Sequence, residues 1–408
     1  MSDYQSQLRD KIAAHSHDKW VELKKSEGLV YGEKRTDTTH PHLIPWSELP
    51  ADQRWSDYLA ADAAIEYLTQ NGLLIGIPDF TQEIRDKAKM YSVSERVNQY
   101  GVSRFAKWNP VDIELLAESF PQILAGTEFN ELVDDIVTAH KNDKPVIVFI
   151  GGHVIKCGLA PIFILMMKKK VITHIAMNGA ASIHDMEIAM MGHTSEWVKD
   201  LLPDGKWGMW EETGKVIHEG IARAYCSKDG LGGYDQRGMS DGLSCAAWCL
   251  NTNAGKYSIL YYQWERHDRG IEPVSLSIHV SIGCDVIHQH PDANFEHIGA
   301  TSGRDFYKLV KAISGLNDGG VFINIGSAAM GPEVFSKALN LARNTGNEVK
   351  DFTTANFDIV ELPGRLSRAK KNVVIRPHIG SENGAGYNFV GSHEIMMPLL
   401  WYAVAGRS

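Results

Sequence analysis

The chain has 408 residues, of which 44% are hydrophobic and 22% charged, and its formal net charge is -9. These proportions are typical of a soluble globular protein with room for two or three domains. The negative charge and the lack of a broad basic stripe argue against a nucleic-acid-binding protein. No stretch is apolar for long enough to cross a bilayer, and the first residues lack the apolar core of a signal peptide. The five cysteines are scattered, which fits a reducing compartment. We therefore expect a cytoplasmic protein with neither a membrane nor a nucleic-acid partner.

Residues from about 8 to 77 predict a small helical domain, which we separate from the rest of the chain after residue 79. Apolar residues at helical spacing run from Leu8 to Leu23, and a second such face runs from Ala61 to Leu73. The segment between them is rich in turn and aromatic residues. The pattern indicates two helices joined by an irregular connection.

This first domain resembles the RyR domain, the repeat first seen in ryanodine receptors. Three ordered segments carry the resemblance, namely WVELK at 20–24, GLVYGE at 28–33 and THPHLIPWSELP at 39–50. The resemblance implies a helical module that binds or senses a partner or ligand and brings no catalytic residues. We expect most of the aromatic residues Trp20, Tyr31 and Trp46 to belong to its core, since aromatics supply much of a small domain's buried area.

The stretch from Val146 to Ala189 predicts the centre of a parallel sheet. An apolar run, Val146–Ile150, ends in Gly151-Gly152, and a helical pattern follows it. A second apolar run ends at Met177, before the turn Asn178-Gly179-Ala180-Ala181 that opens another helix. A strand, a turn and a helix that repeat in this order are typical of a parallel α/β sheet.

The remainder of the chain continues this alternation. We expect further strands at 275–282, 320–325, 351–356 and 373–376, and helices at 194–202, 207–225, 303–316 and 332–344, with a last helix from His393. Residues 78–143 are expected to be mostly helical. The fold class predicted for residues 80–408 is therefore α/β, one doubly wound, mostly parallel, Rossmann-like sheet.

Polar or small residues follow five of the predicted strands. They lie at 151–153, 178–180, 283–285, 326–328 and 353–358. The carboxyl ends of parallel strands share one edge of the sheet, and ligands bind there. We expect a large, partly charged ligand such as a dinucleotide, although the strict G-x-G-x-x-G fingerprint is absent.

The order of these motifs resembles a divergent deoxyhypusine synthase over about residues 100–400. Gly151-Gly152-His153 takes the place of that family's first cofactor loop, Asn178 to Ala181 that of its Thr-Ala-Gly-Gly turn, and Gly326-Ser327 that of its glycine triplet. Thr354-Ala355-Asn356-Phe357-Asp358 resembles its Thr-Ala-Gln-Glu-Phe-Asp segment. The resemblance implies a Rossmann-like subunit, NAD at an intersubunit site, a homotetramer, and aminobutyl transfer from spermidine through an enzyme lysine.

The predicted NAD-binding residues follow from these positions and their neighbours. They are Gly151, Gly152, Lys156, Asn178, Gly179, Ala180, His184, Asp185, Gly326, Ser327, Thr354, Ala355 and Asp358. Lys156 is expected to neutralise a diphosphate, with a role as replacement amine as the alternative. Asp185 and His184 are expected to hold ribose hydroxyls, where the family has a carboxylate.

The family's nucleophilic lysine is missing from the segment that should carry it. Residues 326–333 contain neither lysine nor histidine, and Lys337 lies about a helical turn further on. A covalent imine needs an amine beside the nicotinamide. We therefore expect a different reaction on a small amine or amino-acid-like substrate.

A polar cluster takes the place of that apparatus and supplies the predicted catalytic residues. They are Asp285, His288, His290 and Glu187. We favour acid/base chemistry or substrate binding by this group. Helix capping is one alternative, and metal binding by the two histidines is another. His393-Glu394 resembles half of a zincin motif without the second histidine, so we expect no metal there and interpret Ser392 as a helix N-cap.

Two hypotheses follow from these patterns. The first is an NAD-dependent enzyme of the deoxyhypusine synthase type, forming a homo-oligomer (a tetramer or a dimer). The second is a non-catalytic nucleotide sensor that signals to a partner or ligand through the RyR-like domain. Breakdown of the dinucleotide itself is a third possibility.

Overall fold

The computed structural model describes residues 3–32, 36, 38–50, 53–70, 85, 87–98, 100–101, 122–226, 237–361 and 367–407. The chain divides into two compact units, Met1–Lys87 and Ala88–Ser408. The boundary expected after residue 79 lies outside the described residues, as do Leu73 and the helical segments expected between 102 and 121.

The first unit contains two helices, α1 (Asp3–Ser26) and α2 (Trp55–Gln70), and two short parallel strands, β1 (Val30–Tyr31) and β2 (Thr39–His40). Aliphatic side chains make up its fully buried core: Ala13, Val21, Leu43, Leu49 and Ala61.

The aromatic residues lie around this core. Trp20 and Trp46 are half-buried on either side of the buried His17, with ring centroids 5.9 and 5.7 Å from its ring. Tyr31 is 56% exposed. Two of the three aromatics expected in the core, Trp20 and Trp46, are thus partly buried around His17, whereas Tyr31 lies at the surface.

The second unit is built on six parallel strands. They are β4 (Val146–Ile150), β5 (His174–Asn178), β7 (Ser275–His279), β8 (Val321–Ile325), β9 (Thr353–Asp358) and β10 (Ala385–Val390). Their order across the sheet is β10-β9-β8-β4-β5-β7. Counted along the chain this is the 3-2-1-4-5-6 order of a Rossmann sheet, whose direction of winding reverses between β4 and β8. A separate antiparallel pair joins β3 (Tyr100–Gly101) to β6 (His193–Thr194).

Helices surround this sheet. They are α3 (Ala125–Lys141), α4 (Gly152–Lys156), α5 (Ala160–Lys168), α6 (Gly179–Met191), α7 (Val198–Leu201), α8 (Glu211–Cys226), α9 (Met239–Cys249), α10 (Ile259–Asp268), α11 (Phe295–Ile313), α12 (Met330–Asn344) and α13 (His393–Arg407). All five residues of β4 are buried, and alternate side chains enter two different apolar clusters: Val148 joins one and Phe149 the other. A strand that is covered on both faces requires such an unbroken apolar run.

One predicted strand is wrong and one was missed. Residues 373–376 do not form a strand, since Lys370–Ile375 is a π-helical turn that buries Val373. The outermost strand is instead β10, which pairs with β9. A four-residue apolar run does not distinguish a strand from a buried helical turn, and the glycine-containing, half-exposed β10 gives a weak strand pattern.

Several helices also differ from the prediction. Helix α11 begins at Phe295 rather than at residue 303, because the Asn294 side chain accepts hydrogen bonds from the backbone of Glu296 and His297 and caps the helix there. Helices α9 and α10 were not predicted, and the expected helix at 194–202 is reduced to α7. The last helix begins at His393, as predicted. Among the residues that the structure describes, no helix is both long and apolar enough to cross a bilayer.

Candidate active site

The loops that follow β4 and β8 pack directly against each other. The Gly151 amide donates to the Ile325 carbonyl at 2.9 Å. A Cβ atom at Gly151 would lie 2.1 Å from the carbonyl oxygen of Gly326, which no side chain tolerates. Gly326 has φ +63°, and a Cβ there would lie 2.8 Å from the His393 ring. Glycine is therefore required at both positions by contact between protein atoms.

A cavity of about 270 Å³ opens beside the ends of β5 and β7. Titratable residues from separate parts of the second unit converge on it: Arg96, Lys156, His184, Glu187, Asp285 and His290. Ala180 and Cys284 contribute parts of its wall at the two strand ends. The cavity thus lies at the carboxyl edge of the sheet, beside the reversal of winding between β4 and β8 rather than at it.

Glu187 is a fixed anion in the cavity wall. Its Oε1 accepts a hydrogen bond from Arg96 Nη1 at 2.5 Å, and the two side chains are 4% and 2% exposed. The Thr194 hydroxyl donates to Oε2 at 2.6 Å. Burial alone would raise the pKa of Glu187, but the neighbouring His184 and Arg96 outweigh it and lower the pKa to about 2. The side chain therefore stays ionised throughout the physiological range.

Asp285 lies in the opposite electrostatic environment. Burial raises the pKa of its carboxyl group to about 6. One carboxylate oxygen, Oδ2, is buried without a hydrogen-bond partner among the described residues. A Cβ atom at Gly179 would lie 2.2 Å from that oxygen, so glycine is needed there for Asp285 to approach the start of α6. This carboxyl group can take up and release a proton near neutral pH.

The two histidines of the predicted cluster differ in position. His290 lines the cavity, and its Nδ1 accepts a hydrogen bond from the Asp292 amide at 3.2 Å, so the ring proton resides on Nε2. His288 does not line the cavity: its Nδ1 accepts from the Gly283 amide at 3.1 Å, and its ring lies 5.9 Å from that of Phe295. Burial lowers the pKa of both rings, so both are mainly neutral at pH 7.

Three of the predicted cofactor residues line the cavity. They are Lys156, Ala180 and His184. Since the Thr194 hydroxyl donates to Glu187, the His184 Nδ1–H donates to Thr194 at 2.7 Å, which leaves Nε2 of His184 as an acceptor. Gly152 packs nearby, where a Cβ atom would lie 3.1 Å from both Ala180 and the His184 ring.

Two predicted cofactor residues instead hold helix ends. Asn178 caps α6 by accepting from the Ala181 amide at 2.8 Å. Asp185 is fully buried and caps α10, with bonds from the Ser258 hydroxyl at 2.6 Å and the Ile259 and Leu260 amides at 2.9 Å. Its carboxylate faces that helix rather than a ribose, because it completes the N-terminus of α10.

The predicted residues near β8 and β9 lie on the other side of the winding reversal. Ser327 is buried and accepts from the Gly331 amide at 2.9 Å. Thr354 and Ala355 lie inside the sheet, where the Thr354 hydroxyl contacts His378 Nε2 at 2.7 Å. Asp358 is half-buried at the end of β9.

Sequence reasoning missed Arg96 and the aromatic side of the cavity. Trp207, Trp210 and Glu196 line it, and the Trp210 indole donates to Glu196 at 2.7 Å. The two tryptophans three residues apart were a usable signal. Arg96 had none, because it lies in an irregular segment and reaches its partner across 91 positions of the chain.

Comparison with known proteins gives a family match for the first unit, and the similar solved structures have low sequence identity. No curated protein matches the sequence. Similar solved structures include AgrE in complex with ornithine and NAD+ (15% identity, TM-score 0.39), which covers 72% of this chain, and the chain spans only 33% of that protein. A conserved LOR/SDH protein from Methanococcus maripaludis has 15% identity and a TM-score of 0.40, with 76% of this chain and 73% of that one covered.

A structure named as a deoxyhypusine synthase, from Entamoeba histolytica, is also similar (11% identity, TM-score 0.42), with 77% of this chain and 96% of that one covered. The family model of the RyR domain matches residues 1–77, which confirms the resemblance predicted for the first domain.

Proposed function

We propose that the second unit is an NAD-dependent enzyme that oxidises a small amine or amino-acid-like substrate in the cavity between Glu187 and Asp285. One observation carries this proposal: two carboxyl groups on one cavity have pKa values of about 2 and about 6. A pair of groups whose surroundings separate their pKa values in this way suits an acid/base role for one and a fixed charge for the other.

The charges of the cavity favour a cationic substrate. Arg96 is neutralised by Glu187, and Lys156 makes no side-chain hydrogen bond or ion pair with any residue that the structure describes. If Lys156 pairs with a cofactor diphosphate, the remaining carboxyl groups attract an ammonium group. The volume of about 270 Å³ is just below the roughly 300–1,000 Å³ of pockets for drug-sized ligands, so a molecule of amino-acid size is expected.

The cofactor placement is supported by the residues in the wall of the cavity. Lys156, Ala180 and His184 offer a cation, a backbone amide near a helix N-terminus and an imidazole acceptor beside the strand ends. Asp358, half-buried at the end of β9, is the remaining proposed contact; Gly326 and Ser327 are not, because Gly326 lies against His393 and Ser327 is buried against the Gly331 amide. Bound there, NAD would accept a hydride from a carbon next to the substrate nitrogen.

In this scheme Asp285 accepts a proton from the substrate. A substrate ammonium group must lose a proton before its neighbouring C–H bond breaks and a C=N bond forms. The Asp285 carboxyl group is mostly ionised at pH 7 because its pKa is about 6, so it accepts that proton. His290 presents Nε2–H to the same cavity and is placed to orient the substrate by donating a hydrogen bond.

The test combines binding and turnover. Calorimetry with NAD+ should show binding to the full chain, and polyamines or amino acids should then generate the absorbance of reduced nicotinamide. Asp285→Asn should lower turnover by roughly 10²–10⁴-fold with NAD affinity unchanged. Asp268→Asn is the matched control, because its side chain is exposed at the end of α10 and does not line the cavity. Absence of heat with either redox form of the nucleotide, or full turnover by Asp285→Asn, contradicts the proposal.

A nucleotide sensor is the second candidate, favoured by the RyR domain match on a separate compact unit. In that case NAD binds but no amine generates reduced cofactor. The measurement that separates the two hypotheses is turnover by the unaltered protein at saturating nucleotide.

A further inference from the structure

Three potential metal ligands lie together where α4 meets α13. None of the three lines the cavity, although Lys156, which is next to Cys157 in the chain, does. His153 and Cys157 are four positions apart on one helical turn, in which the Cys157 amide donates to the His153 carbonyl at 2.9 Å. This spacing places both side chains on the same side of the helix. Glu394, in the first turn of α13, faces them from the other element.

The distances in this cluster match those of a tetrahedral metal site. His153 Nε2 lies 3.3 Å from Cys157 Sγ, and Cys157 Sγ lies 3.7 Å from Glu394 Oε2. All three ligand atoms lie within 4.8 Å of one another. Zinc bonds of about 2.0–2.3 Å at tetrahedral angles separate neighbouring ligand atoms by about 3.3–3.8 Å. Two of the three edges have this length, and the third, between His153 and Glu394, is at most 4.8 Å.

We propose that His153, Cys157 and Glu394 bind one divalent transition-metal ion of the zinc class. A thiolate, an imidazole and a carboxylate together suit Zn²⁺ or Co²⁺, whereas Mg²⁺ and Ca²⁺ prefer oxygen ligands alone. Three protein ligands leave a fourth position for water or for a ligand oxygen, as in catalytic rather than structural zinc sites.

The neighbouring His393 provides a second, independent observation. Its side chain is 1% exposed and its ring centroid lies 5.4 Å from that of His153. Nε2 lies 3.3 Å from the Phe357 carbonyl oxygen, and Nδ1 has no hydrogen-bond partner within the described part of the chain. A buried nitrogen without a partner costs free energy. A polar group bound beside the His153 ring would satisfy it.

The competing explanation is a simple hydrogen-bonded group. The same distances allow the thiol to bond with the imidazole nitrogen and the carboxylate, and no ion is then required. Only metal binding that depends on these particular side chains distinguishes the two explanations.

The experiment uses the full chain, reduced, treated with a chelator and dialysed, and then titrated with Co²⁺ alone. We expect one equivalent per chain and a thiolate-to-cobalt charge-transfer band. Cys157→Ser should abolish the band and weaken binding at least tenfold. Cys226→Ser, at an exposed cysteine on α8, should change neither. A wild-type protein without the band, or a band retained in Cys157→Ser, overturns the proposal.

A second variant keeps the test decisive if Cys157→Ser does not fold. Glu394→Gln changes an exposed residue and should preserve the far-ultraviolet circular dichroism and the melting temperature. It should weaken Co²⁺ or Zn²⁺ binding at least tenfold, measured by competition with a chromophoric chelator. Unchanged affinity in this folded variant also overturns the proposal.

Discussion

The two halves of the sheet's carboxyl edge differ although both end in small and polar residues. At β5 and β7 the edge borders a cavity that Asp285 and His290 line. At β8 and β9 protein atoms occupy the equivalent space: Asn324 donates to the carbonyl of Ser327 and to the side chain of Asn356, and Gly326 lies against His393. Glycine and polar residues at strand ends therefore identify the edge of the sheet, but not whether a ligand or the protein fills it.

The largest effect should come from the ion pair in the cavity wall. Arg96→Met leaves the Glu187 carboxylate buried without its cation, which should cost about 3–5 kcal/mol of unfolding free energy. Urea unfolding measures this cost. Arg269→Met is the control, because its pair with Glu265 lies at the surface and should contribute less than about 1 kcal/mol. Equal costs for the two variants would mean that the Arg96–Glu187 ion pair does not stabilise the half of the edge at β5 and β7, which we call the open half.

The closed half of the edge, where the loop after β4 packs against the loop after β8, should be destabilised by an added methyl group. Gly151→Ala places a Cβ atom 2.1 Å from a backbone oxygen and should destabilise the protein by about 1–3 kcal/mol. Gly303→Ala is the matched change within α11, where nothing lies within 4 Å of the added atom. It should stabilise the protein by about 0.5–1 kcal/mol, since alanine is the better helix former. Thermal unfolding of both variants measures the contrast; a tolerated Gly151→Ala would show that the loops are not closely packed.

Asp285, at the end of β7, should make kcat/KM depend on pH. Below the Asp285 pKa of about 6 the proposed base is protonated, so kcat/KM should fall about tenfold per pH unit as the pH is lowered, or about 1.4 kcal/mol per unit. Above that pH, ionisation of Asp285 should no longer change kcat/KM. The comparison is the pH profile of Asp268→Asn, at an exposed carboxyl group outside the cavity, which should keep the same inflection. A wild-type profile without an inflection between pH 5 and 7 would remove Asp285 from its role.

The contribution of Asp285 to folding stability should change with pH in the opposite direction from kcat/KM. The folded state raises the pKa of this carboxyl group above the usual 3.8, so it binds the proton more tightly than the unfolded chain. The contribution of this group to stability therefore decreases as the pH rises from about 4 to about 6. Asp185 and Asp305, whose pKa values burial also raises to about 6, contribute with the same sign. Asp285→Asn should remove only part of the decrease, measured by urea unfolding at pH 4.5 and 6.5.

The sequence alone determined the sheet's central strands and much of its carboxyl edge. Val146–Ile150 is an unbroken apolar run, and Val321–Ile325 is interrupted only by Asn324; both are long enough, and sharply enough ended, to specify strands buried on both faces. It failed at Val373, where a short apolar run is equally compatible with a helical turn, and at the half-exposed edge strand β10.

Only the tertiary structure decided which polar residues share the cavity. Asp185 and Glu187 are two positions apart on α6, about 200° around the helix axis, so one caps α10 and the other enters the cavity wall. Which face turns which way depends on the packing of α10 and of the segment that carries Arg96, both distant along the chain. Local patterns reflect the rise and turn of a single element, whereas a site is formed by elements that meet only after the core has packed.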